Sequence, residues 1–388
     1  MSDAAVIVSS DPESFPHSVL AERHPALIRK VRDAFPYGPE QHQALDALLK
    51  SATEGVIEPL PPGAADRGQW EAWGLPEYVG HSWFEAPFLW AESYFYRQLL
   101  AAVGYFGSGS GSGTWSGIDP FRPFKLAELD TPETEEELAA LDELASRPVE
   151  DQEMALLHGS LWGNRADLGF QLSAGDGAAA DSQLVADESA LLWSLLSGGT
   201  VCLVADNAGR ELIPDLLLLD HLLRHGRADR AVLHLKPHPY YVSDAMTADL
   251  VDALRRLKEA KGAAAEAGHR LWSALADGRL TVRAHPFSCA PLPYANMPDD
   301  LRREFAAATV TIFKGDLNYR RLVGDQLWPP TTPFAQPTAY FPGPVAALRT
   351  LKSDVIVGLD AATESALVTT QGQRWRTAGT HALIQARP

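Results

Sequence analysis

The sequence predicts an α/β fold, a Rossmann-like α/β/α core with a mainly parallel sheet, preceded by an α-helical N-terminal domain. From about residue 150 onward, helical segments alternate with short apolar runs rich in β-branched residues, the pattern of a parallel sheet covered on both faces. The first third of the chain instead repeats apolar residues at spacings of three and four, as amphipathic helices do. With 388 residues, 46% of them hydrophobic, the chain can build a large core.

The predicted N-terminal domain spans residues 1–125. Its helical segments are ERHPALIRKVRDAF (22–35), PEQHQALDALLKSA (39–52) and LWAESYFYRQLLAAVGYF (89–106). Glycine and serine alternate within residues 106–117 and cannot pack a core, so this stretch is predicted to be a flexible loop. The α/β core is assigned to residues 126–388. Near its start we expect an acidic helix with Thr131 as N-cap and Pro132 at the first helical position.

The core segments follow one another in a regular order. Helices are predicted over 188–198, 211–226, 246–278 and 298–308, and strands over 199–205, 231–237, 279–286, 309–315, 353–359 and 380–387. We expect these strands to form one sheet with helices on both of its faces.

Composition and charge argue against several classes of protein. The formal net charge of −17 argues against a nucleic-acid partner, because phosphate backbones are bound by clustered cations. The two cysteines make neither a disulfide framework nor a zinc site, and Cys202 lies in an apolar run, as a small buried hydrophobe would. No apolar stretch reaches the ~18 residues of a membrane span, and the N-terminus lacks a signal-peptide pattern. We therefore expect a cytoplasmic protein that does not bind membranes, of unknown oligomeric state.

Polar and charged residues follow several of the predicted strands. Asp206 and Asn207 end the first apolar run, Asp244 lies beyond the second, and a segment from Lys314 to Arg320 follows a third. Lys352 stands just before the predicted strand 353–359. In open parallel sheets, ligands bind outside the carboxyl ends of the strands, so these groups are expected to converge.

Two carboxylates and an amide oxygen form a hard-oxygen site of the kind that Mg²⁺ or Mn²⁺ prefers. A nearby cluster of cations would hold a phosphate, and the combination suits phosphoryl transfer. Each residue also has a structural interpretation. Asp206 could form an Asx turn or cap a helix, Asp244 and Asp316 could be N-caps, Glu211 a first-turn acid and Lys352 a surface lysine.

Five motifs, in order and spacing, resemble the damage-control metal-dependent phosphatases, in the subgroup that includes acidic-residue (protein-glutamate) methyltransferase 1. They are LWGNRADLGF (161–170), VADNAGRELIPDLLLLDHLL (204–223), KPHPYYVSDA (236–245), FKGDLNYRRLVGDQLWP (313–329) and LRTLKSDVIVGL (348–359). The subgroup's Arg-Thr-x-Lys mark is present as Arg349–Lys352. Residues 84–99 resemble the N-terminal helical region of the family more loosely.

The resemblance implies a helical N-terminal domain on an α/β/α core and a divalent metal, often Mn²⁺, Co²⁺, Ni²⁺ or Mg²⁺. It implies Asp206, Asn207 and Asp244 as the metal ligands. The residues implied to contact substrate are Glu211, Asp316, Leu317, Asn318, Tyr319, Arg320 and Lys352. Arg23 is the candidate match for an N-terminal arginine of the family.

The corresponding hypothesis is hydrolysis of a small phosphorylated metabolite, a sugar phosphate such as fructose 1-phosphate, in metabolite damage control. Asp206, Asp316 and Lys352 are the expected catalytic residues. Either Asp206 or a water on the metal attacks, and the sequence does not choose between them. Asp316 holds a sugar hydroxyl or acts as acid/base, while Lys352 and Arg320 neutralise charge on the phosphoryl group.

Two other functions compete with this hypothesis. The family name carries a protein carboxyl O-methyltransferase that uses S-adenosylmethionine, although no glycine-rich loop follows the first core strand. Tight binding of S-adenosylmethionine without metal would favour the transferase. A non-catalytic sugar-phosphate sensor would use the same site, and binding without turnover would favour it.

Overall fold

The structure is a computed structural model that describes residues 4–107, 113–163 and 183–388. Residues 108–112 of the predicted glycine–serine loop and 164–170 of the first family motif lie outside the described residues. The strands are β1 Leu184–Asp187, β2 Thr200–Val204, β3 Arg230–His234, β4 Leu280–Arg283, β5 Val310–Lys314, β6 Val345–Thr350 and β7 Ala382–Arg387.

The described helices fall into an N-terminal group and a group around the sheet. The first group is α1 Phe15–Ser18, α2 His24–Arg32, α3 Pro39–Glu54, α4 Arg67–Ala72, α5 Leu75–Tyr78, α6 Phe88–Ala102 and α7 Arg122–Ala127. The second is α8 Pro132–Ala145, α9 Val149–Trp162, α10 Ser189–Leu195, α11 Leu212–Arg224, α12 Thr247–Glu259, α13 Gly262–Asp277, α14 Asp299–Ala306, α15 Asp316–Val323 and α16 Ala361–Gln371.

The seven described strands form one sheet in the order β1-β7-β6-β5-β2-β3-β4. Every described neighbouring pair is parallel except β6 and β7, which confirms the mainly parallel α/β prediction. From β2 the chain proceeds outward through β3 to β4, then returns to form β5 on the other side of β2. The gap between β2 and β5 is therefore the topological switch point, where open parallel sheets bind their ligands.

Alternating side chains of the strands build two apolar cores, one on each face of the sheet. In β2, Val201 and Leu203 pack with helices α8–α13, while Cys202 and Val204 pack with α14 and α15. This period of two is what a strand buried on both faces requires. Cys202 is buried and free, as its apolar surroundings predict.

The N-terminal helices have a third apolar core of their own, built largely from α2, α3 and α6. Helix α6 is buried over most of its length, including Trp90, Tyr94 and Phe95. Phe88 at its start packs instead with the sheet-face core that contains α14 and α15. The N-terminal helices therefore contact the α/β core, and the division at 125/126 stays a prediction.

Several local predictions can be compared with the structure. Thr131 caps α8 and accepts a hydrogen bond from Thr134 N at 3.2 Å, as expected. The predicted helix 246–278 is two helices, because the chain turns at 260–261 before α13 begins at Gly262.

The predicted strand 353–359 is wrong. The strand here is β6, and the VIV run that follows it is buried without joining the sheet. The alanines of β6 gave a weak strand signal, whereas the β-branched run gave a strong one. Strand β1 was also missed. Among the described helices, none has the length and hydropathy needed to cross a bilayer.

Candidate active site

The candidate site lies at the carboxyl ends of β2, β3 and β5, where the sequence placed it. Asp206 and Asn207 follow β2 directly, and their backbone pairs with the segment that leads into α12. Ala245 N donates to Asp206 O at 2.9 Å, and Ala208 N donates to Ser243 O at 2.6 Å. These bonds bring Asp244 beside Asn207, although the two residues are 37 positions apart in the sequence.

The helix-cap interpretation fails for two of the three aspartates. The short turn before α11 is capped by Ala208 rather than Asp206, and α12 is capped by Met246 rather than Asp244. Asp316 is the first residue of α15, after Gly315. Asp206 and Asp244 are therefore positioned by strand-end backbone pairing, which leaves their carboxylates available for another role.

Asn207 connects the acidic groups of the site. Its Nδ2 donates to Glu211 Oε2 at 2.7 Å and to Asp206 Oδ2 at 3.3 Å. Its Oδ1 accepts a hydrogen bond from Ser243 Oγ at 2.7 Å. The amide thus holds Glu211 and Asp206 on one side and leaves its oxygen facing the segment that carries Asp244.

Asp244 is buried, and its surroundings fix it firmly. Its Oδ2 accepts a hydrogen bond from Tyr241 N at 2.7 Å, and Lys236 Nζ lies 3.8 Å from its Oδ1. The buried Lys125 of α7 donates to the Asp244 carbonyl oxygen at 2.8 Å. A helix of the N-terminal group therefore helps to position this carboxylate.

Asp206 faces the start of α15 across Gly315. A Cβ on Gly315 would lie 1.9 Å from Asp206 Oδ2, and Gly315 has a φ of +89°. Both the close approach and the backbone conformation require glycine at this position. The glycine lets the end of β5 and the first turn of α15 approach the Asp206 carboxylate.

The electrostatic environment of Asp206 is strongly negative. Burial, together with Glu211 and Asp244, raises the pKa of Asp206 to about 8, although Lys352 and Lys314 oppose the shift. A carboxylate crowded by acids is the condition that a bound dication would relieve. The donors are all oxygens, which fits a hard cation such as Mg²⁺ or Mn²⁺.

Among the described residues, no group of three acidic, histidine or cysteine side chains is arranged to hold a metal ion. An ion held by Asp206 and Asp244 would thus need the amide oxygen of Asn207, as the family resemblance implies. Water and substrate would complete the coordination.

Lys314, at the last position of β5, is a buried residue of this region that the sequence analysis passed over. Its Nζ lies 3.3 Å from Asp215 Oδ1, and the same oxygen accepts a hydrogen bond from Ser160 Oγ at 2.5 Å. Burial alone would lower the pKa of Lys314, but Asp215, Glu211 and Asp206 raise it above its ordinary value. A lysine that ends an otherwise apolar strand was the available signal.

The first turn of α15 carries the residues predicted to contact substrate. Asn318 Nδ2 donates to the carbonyl oxygens of Ala205 and Lys314 at 3.0 and 2.8 Å, which ties α15 to β2 and β5. Its Oδ1 is buried and has no hydrogen-bond partner among the described residues. Leu317 is buried in a small cluster with Leu89, Tyr240 and Cys289.

The next two residues of α15 already have structural partners. Tyr319 is fully buried, and its hydroxyl donates to Gln385 Oε1 at 2.9 Å. Arg320 binds Asp325 through Nε at 2.7 Å and Glu92 through a terminal nitrogen at 3.1 Å. The predicted substrate contacts of both side chains remain predictions, and their observed contacts stabilise the fold.

Asp316 is held by the Arg-Thr-x-Lys motif. Arg349 Nε donates to Asp316 Oδ1 at 2.8 Å, and the Lys352 backbone N–H donates to the same oxygen at 3.1 Å. Burial would raise the pKa of Asp316, but Arg349 and Arg320 lower it below its ordinary value. Asp316 is therefore an ionised hydrogen-bond acceptor, which fits contact with a hydroxyl better than the donation of a proton.

Lys352 comes to the site because it follows β6, not because it precedes a strand. Its side chain is exposed and has no ion pair among the described residues, yet it lowers the pKa of Asp206. Arg23 lies in the helical turn before α2, with its guanidinium 5.9 Å from the ring centre of Phe15.

Comparison with known proteins agrees with this arrangement. The sequence model of the damage-control phosphatase ARMT1-like domain matches residues 19–368. The chain is similar to proteins named damage-control phosphatase ARMT1, with 29% identity to that of Rattus norvegicus over 98% of both chains. Identity to that of Homo sapiens is 28% over 98% of both chains, and to that of Xenopus tropicalis 30% over 96% of both.

A solved structure shows the same fold. The chain matches a DUF89 family protein from Pyrococcus horikoshii with a TM-score of 0.50 and 14% sequence identity, over 96% of this chain and 98% of that chain. The family resemblance predicted from the five motifs is thus confirmed. Because the family's sequence model covers most of the chain, this protein belongs to the damage-control phosphatase ARMT1-like family and is a phosphatase.

Proposed function

We propose that the protein hydrolyses small sugar phosphates, such as fructose 1-phosphate, in a metal-dependent reaction. The observation that carries the proposal is the convergence of Asp206, Asn207 and Asp244 at the switch point of the sheet, against the start of α15. Oxygen donors at that point suit a dication, and a helix start suits a phosphate. We place the reaction in metabolite damage control and in the cytoplasm as part of the same proposal.

Asp206, Asn207 and Asp244 would hold the ion, which can be Mn²⁺, Mg²⁺, Co²⁺ or Ni²⁺ because a hard-oxygen site accepts several metals. When bound, the ion supplies Lewis acidity toward a phosphoryl oxygen. The side chains contribute position as well as charge. Asn207 holds the Glu211 carboxylate at 2.7 Å, so the acidic wall of the site is fixed before substrate arrives.

The phosphate would bind at the first turn of α15. The first described bond within this helix runs from Tyr319 N to Gly315 O at 3.1 Å, so the preceding N–H groups are free of the helical ladder. Such N–H groups and the positive end of the helix dipole attract phosphate. Lys352, exposed at the end of β6, would add a mobile positive charge.

The sugar would contact the acceptors beside the phosphate. Arg349 keeps Asp316 ionised, so its carboxylate can accept a hydrogen bond from a sugar hydroxyl. The unpartnered Asn318 Oδ1 and the Glu211 carboxylate are further acceptors in the same region. A polyhydroxylated substrate would satisfy several of these groups together, which a simple alkyl phosphate cannot do.

The test is a screen of phosphate esters against metals with purified protein. We expect hydrolysis of hexose and pentose phosphates that stops in chelator and returns with added Mn²⁺ or Mg²⁺. Asp206→Asn should reduce kcat/KM by about 10³-fold or more, because it removes a ligand at the reacting centre. Asp277→Asn, an exposed residue at the start of the turn before β4, is the matched control. Full activity in chelator, or an active Asp206→Asn variant, would contradict the proposal.

A further inference from the structure

A second cavity, of about 180 Å³, lies between the N-terminal helices and the segment that follows β3. The family motifs give it no role. Its walls include the aromatic rings of Trp70, Trp73 and Tyr240, and exposed Pro237 and Pro286 at its rim connect it to solvent. The cavity contains a thiol and an imidazole, Cys289 and His238.

Cys289 and His238 form a hydrogen-bonded pair inside this cavity. Cys289 Sγ lies 3.7 Å from the His238 carbonyl oxygen, and its sulfur is hydrogen-bonded to the imidazole of the same histidine. His238 Nδ1 lies 2.8 Å from the Pro239 carbonyl oxygen, which fixes a proton on Nδ1 and leaves Nε2 for the sulfur. This is the arrangement in which an imidazole activates a thiol.

The charges around the pair favour an imidazolium. Burial alone would lower the pKa of His238, but Cys289, the Pro239 carbonyl and Asp66 raise it to about 9. Arg97 binds Asp66 through two bonds of 2.9 and 2.6 Å, so a second cation also lines the cavity. A thiolate formed here would meet a protonated imidazole and a guanidinium.

The pair is also packed against the candidate active site. Cys289, Tyr240 and Leu317 share one buried cluster, and Leu317 belongs to the first turn of α15. The turn that carries Cys289 is tied to α15 by Arg321, which donates to the carbonyl oxygens of Phe287 and Ser288 at 2.7 and 2.8 Å. An atom added to the sulfur would therefore press on the proposed phosphate-binding turn.

We propose that Cys289 is a covalent modification site for peroxides, activated by His238, and that its oxidation inhibits the phosphatase. The thiolate sulfur attacks one oxygen of hydrogen peroxide, so that an S–O bond forms and the O–O bond breaks. The leaving hydroxide takes the proton of the His238 imidazolium and departs as water. The sulfur is oxidised to a sulfenic acid and the peroxide is reduced. Inhibition rests on the proposed function, whereas the oxidation step does not.

The oxidation step is tested by mass spectrometry of the full chain treated with hydrogen peroxide and dimedone, which traps sulfenic acid. The chain contains its own control, because its other cysteine, Cys202, is buried in β2 and burial raises the pKa of its thiol to about 12. We expect one label per chain, mapped to Cys289. His238→Gln should slow labelling by about 10-fold or more, since the thiolate loses its cation. Labelling of Cys289 no faster than Cys202, or a wild-type rate in His238→Gln, would overturn the proposal.

Inhibition is tested on the same samples with a phosphate ester as substrate. The labelled wild-type protein should lose most of its kcat/KM, while Cys289→Ser, exposed to the same peroxide and dimedone, should keep its untreated activity. Because peptide mapping needs no variant and no turnover, the oxidation step is judged even if the protein hydrolyses none of the esters tried. Complete labelling with unchanged kcat/KM would overturn the inhibitory role of Cys289.

Discussion

Asp206 is the residue on which stability and function conflict. Its carboxylate is crowded by Glu211 and Asp244, and the described donor to it is an amide at 3.3 Å. Such a group destabilises the metal-free fold when it ionises, yet it is the group that an ion would bind. The cost to the fold and the affinity for a cation therefore have the same physical origin.

The raised pKa of Asp206 predicts that ion binding depends on pH. With a pKa of about 8 in the metal-free protein, Asp206 is mostly protonated at pH 7 and must release a proton to bind an ion. We expect the Kd for Mn²⁺ to fall as pH rises from 6 to 8, with release of about one proton per ion at pH 7. Calorimetry in buffers of different ionisation enthalpy measures that proton. A Kd independent of pH over this range would contradict the prediction.

Replacing the charge should reverse the conflict at Asp206. Because the folded pKa lies above the unfolded value, the ionised group destabilises the fold at any pH above the unfolded pKa, increasingly so up to about pH 8. Asp206→Asn should therefore raise the Tm of the metal-free protein at pH 8 while it abolishes the gain in Tm from added Mn²⁺. Asp277→Asn should leave the metal-dependent gain unchanged. A lower Tm for metal-free Asp206→Asn would show that Asp206 stabilises the fold as an anion.

At the scale of elements, the strand ends were predictable and the connections between them were not. Asp206 and Asn207 could be placed because an apolar run stops at a carboxylate, and the carboxyl ends of parallel strands share an edge. Lys352 was attached to the wrong strand, since the alanines of β6 hide it from a pattern of β-branched residues. Lys314 was missed because a buried lysine looks like a surface lysine until its partner, Asp215, is known.

The close approach of α15 to Asp206 can be tested at Gly315. Gly315→Ala would place a methyl group 1.9 Å from Asp206 Oδ2, so either the carboxylate or the helix must move. We expect kcat/KM to fall by about 100-fold or more, because small displacements of catalytic groups carry large penalties. The loss is measured with the substrate that the phosphate-ester screen identifies.

Gly372→Ala is the matched control for Gly315→Ala. Gly372 also has a positive φ, +63°, but no atom lies within 4 Å of an added Cβ. Both variants carry the backbone cost of a side chain at positive φ, and the clash with the carboxylate is added in Gly315→Ala alone. Equal losses of activity in the two variants would show that the approach to Asp206 is not needed for the reaction.

At the scale of the whole molecule, α15 is also the element that joins the N-terminal helices to the sheet. Arg320 binds Glu92 of α6, which is 228 residues away in the sequence, and its guanidinium lies 4.6 Å from the ring centre of Phe88. Sequence patterns report local periodicity and cannot give a partner at that separation. The family resemblance implied a substrate contact for Arg320, whereas its observed partners are carboxylates of the protein itself.

Arg320 can be tested for these two roles. Arg320→Gln leaves Glu92 and Asp325 buried without their cation, which should cost about 3–5 kcal/mol of unfolding free energy. Adding Glu92→Gln removes one of the stranded charges and should recover part of that loss. If Arg320 acted mainly on substrate, the single variant would keep its unfolding free energy in urea and raise KM instead.

Buried neutral histidines should limit the stability of the whole molecule in acid. His24 stacks on Phe95 with ring centres 3.7 Å apart, and both of its ring nitrogens lack partners among the described residues. Burial, with Arg23, lowers the pKa of His24 to about 3, and burial is also the main cause that lowers the pKa of His234 to about 4. The unfolded chain takes up protons on both residues below pH 6.5, where the folded protein does not.

Each of these histidines therefore contributes stability at neutral pH that is lost as pH falls below 6.5, about 2 kcal/mol by pH 5. Urea unfolding in chelator at pH 7.5 and 5.0 measures the total loss, and His24→Phe, which keeps the aromatic stack, should reduce it by about 2 kcal/mol. His269→Phe, at an exposed position of α13, controls for the exchange of a histidine ring for a phenyl ring. If His24→Phe loses as much stability between the two pH values as the wild type, His24 is protonated inside the folded protein, and the acid sensitivity must come from the paired carboxylates instead.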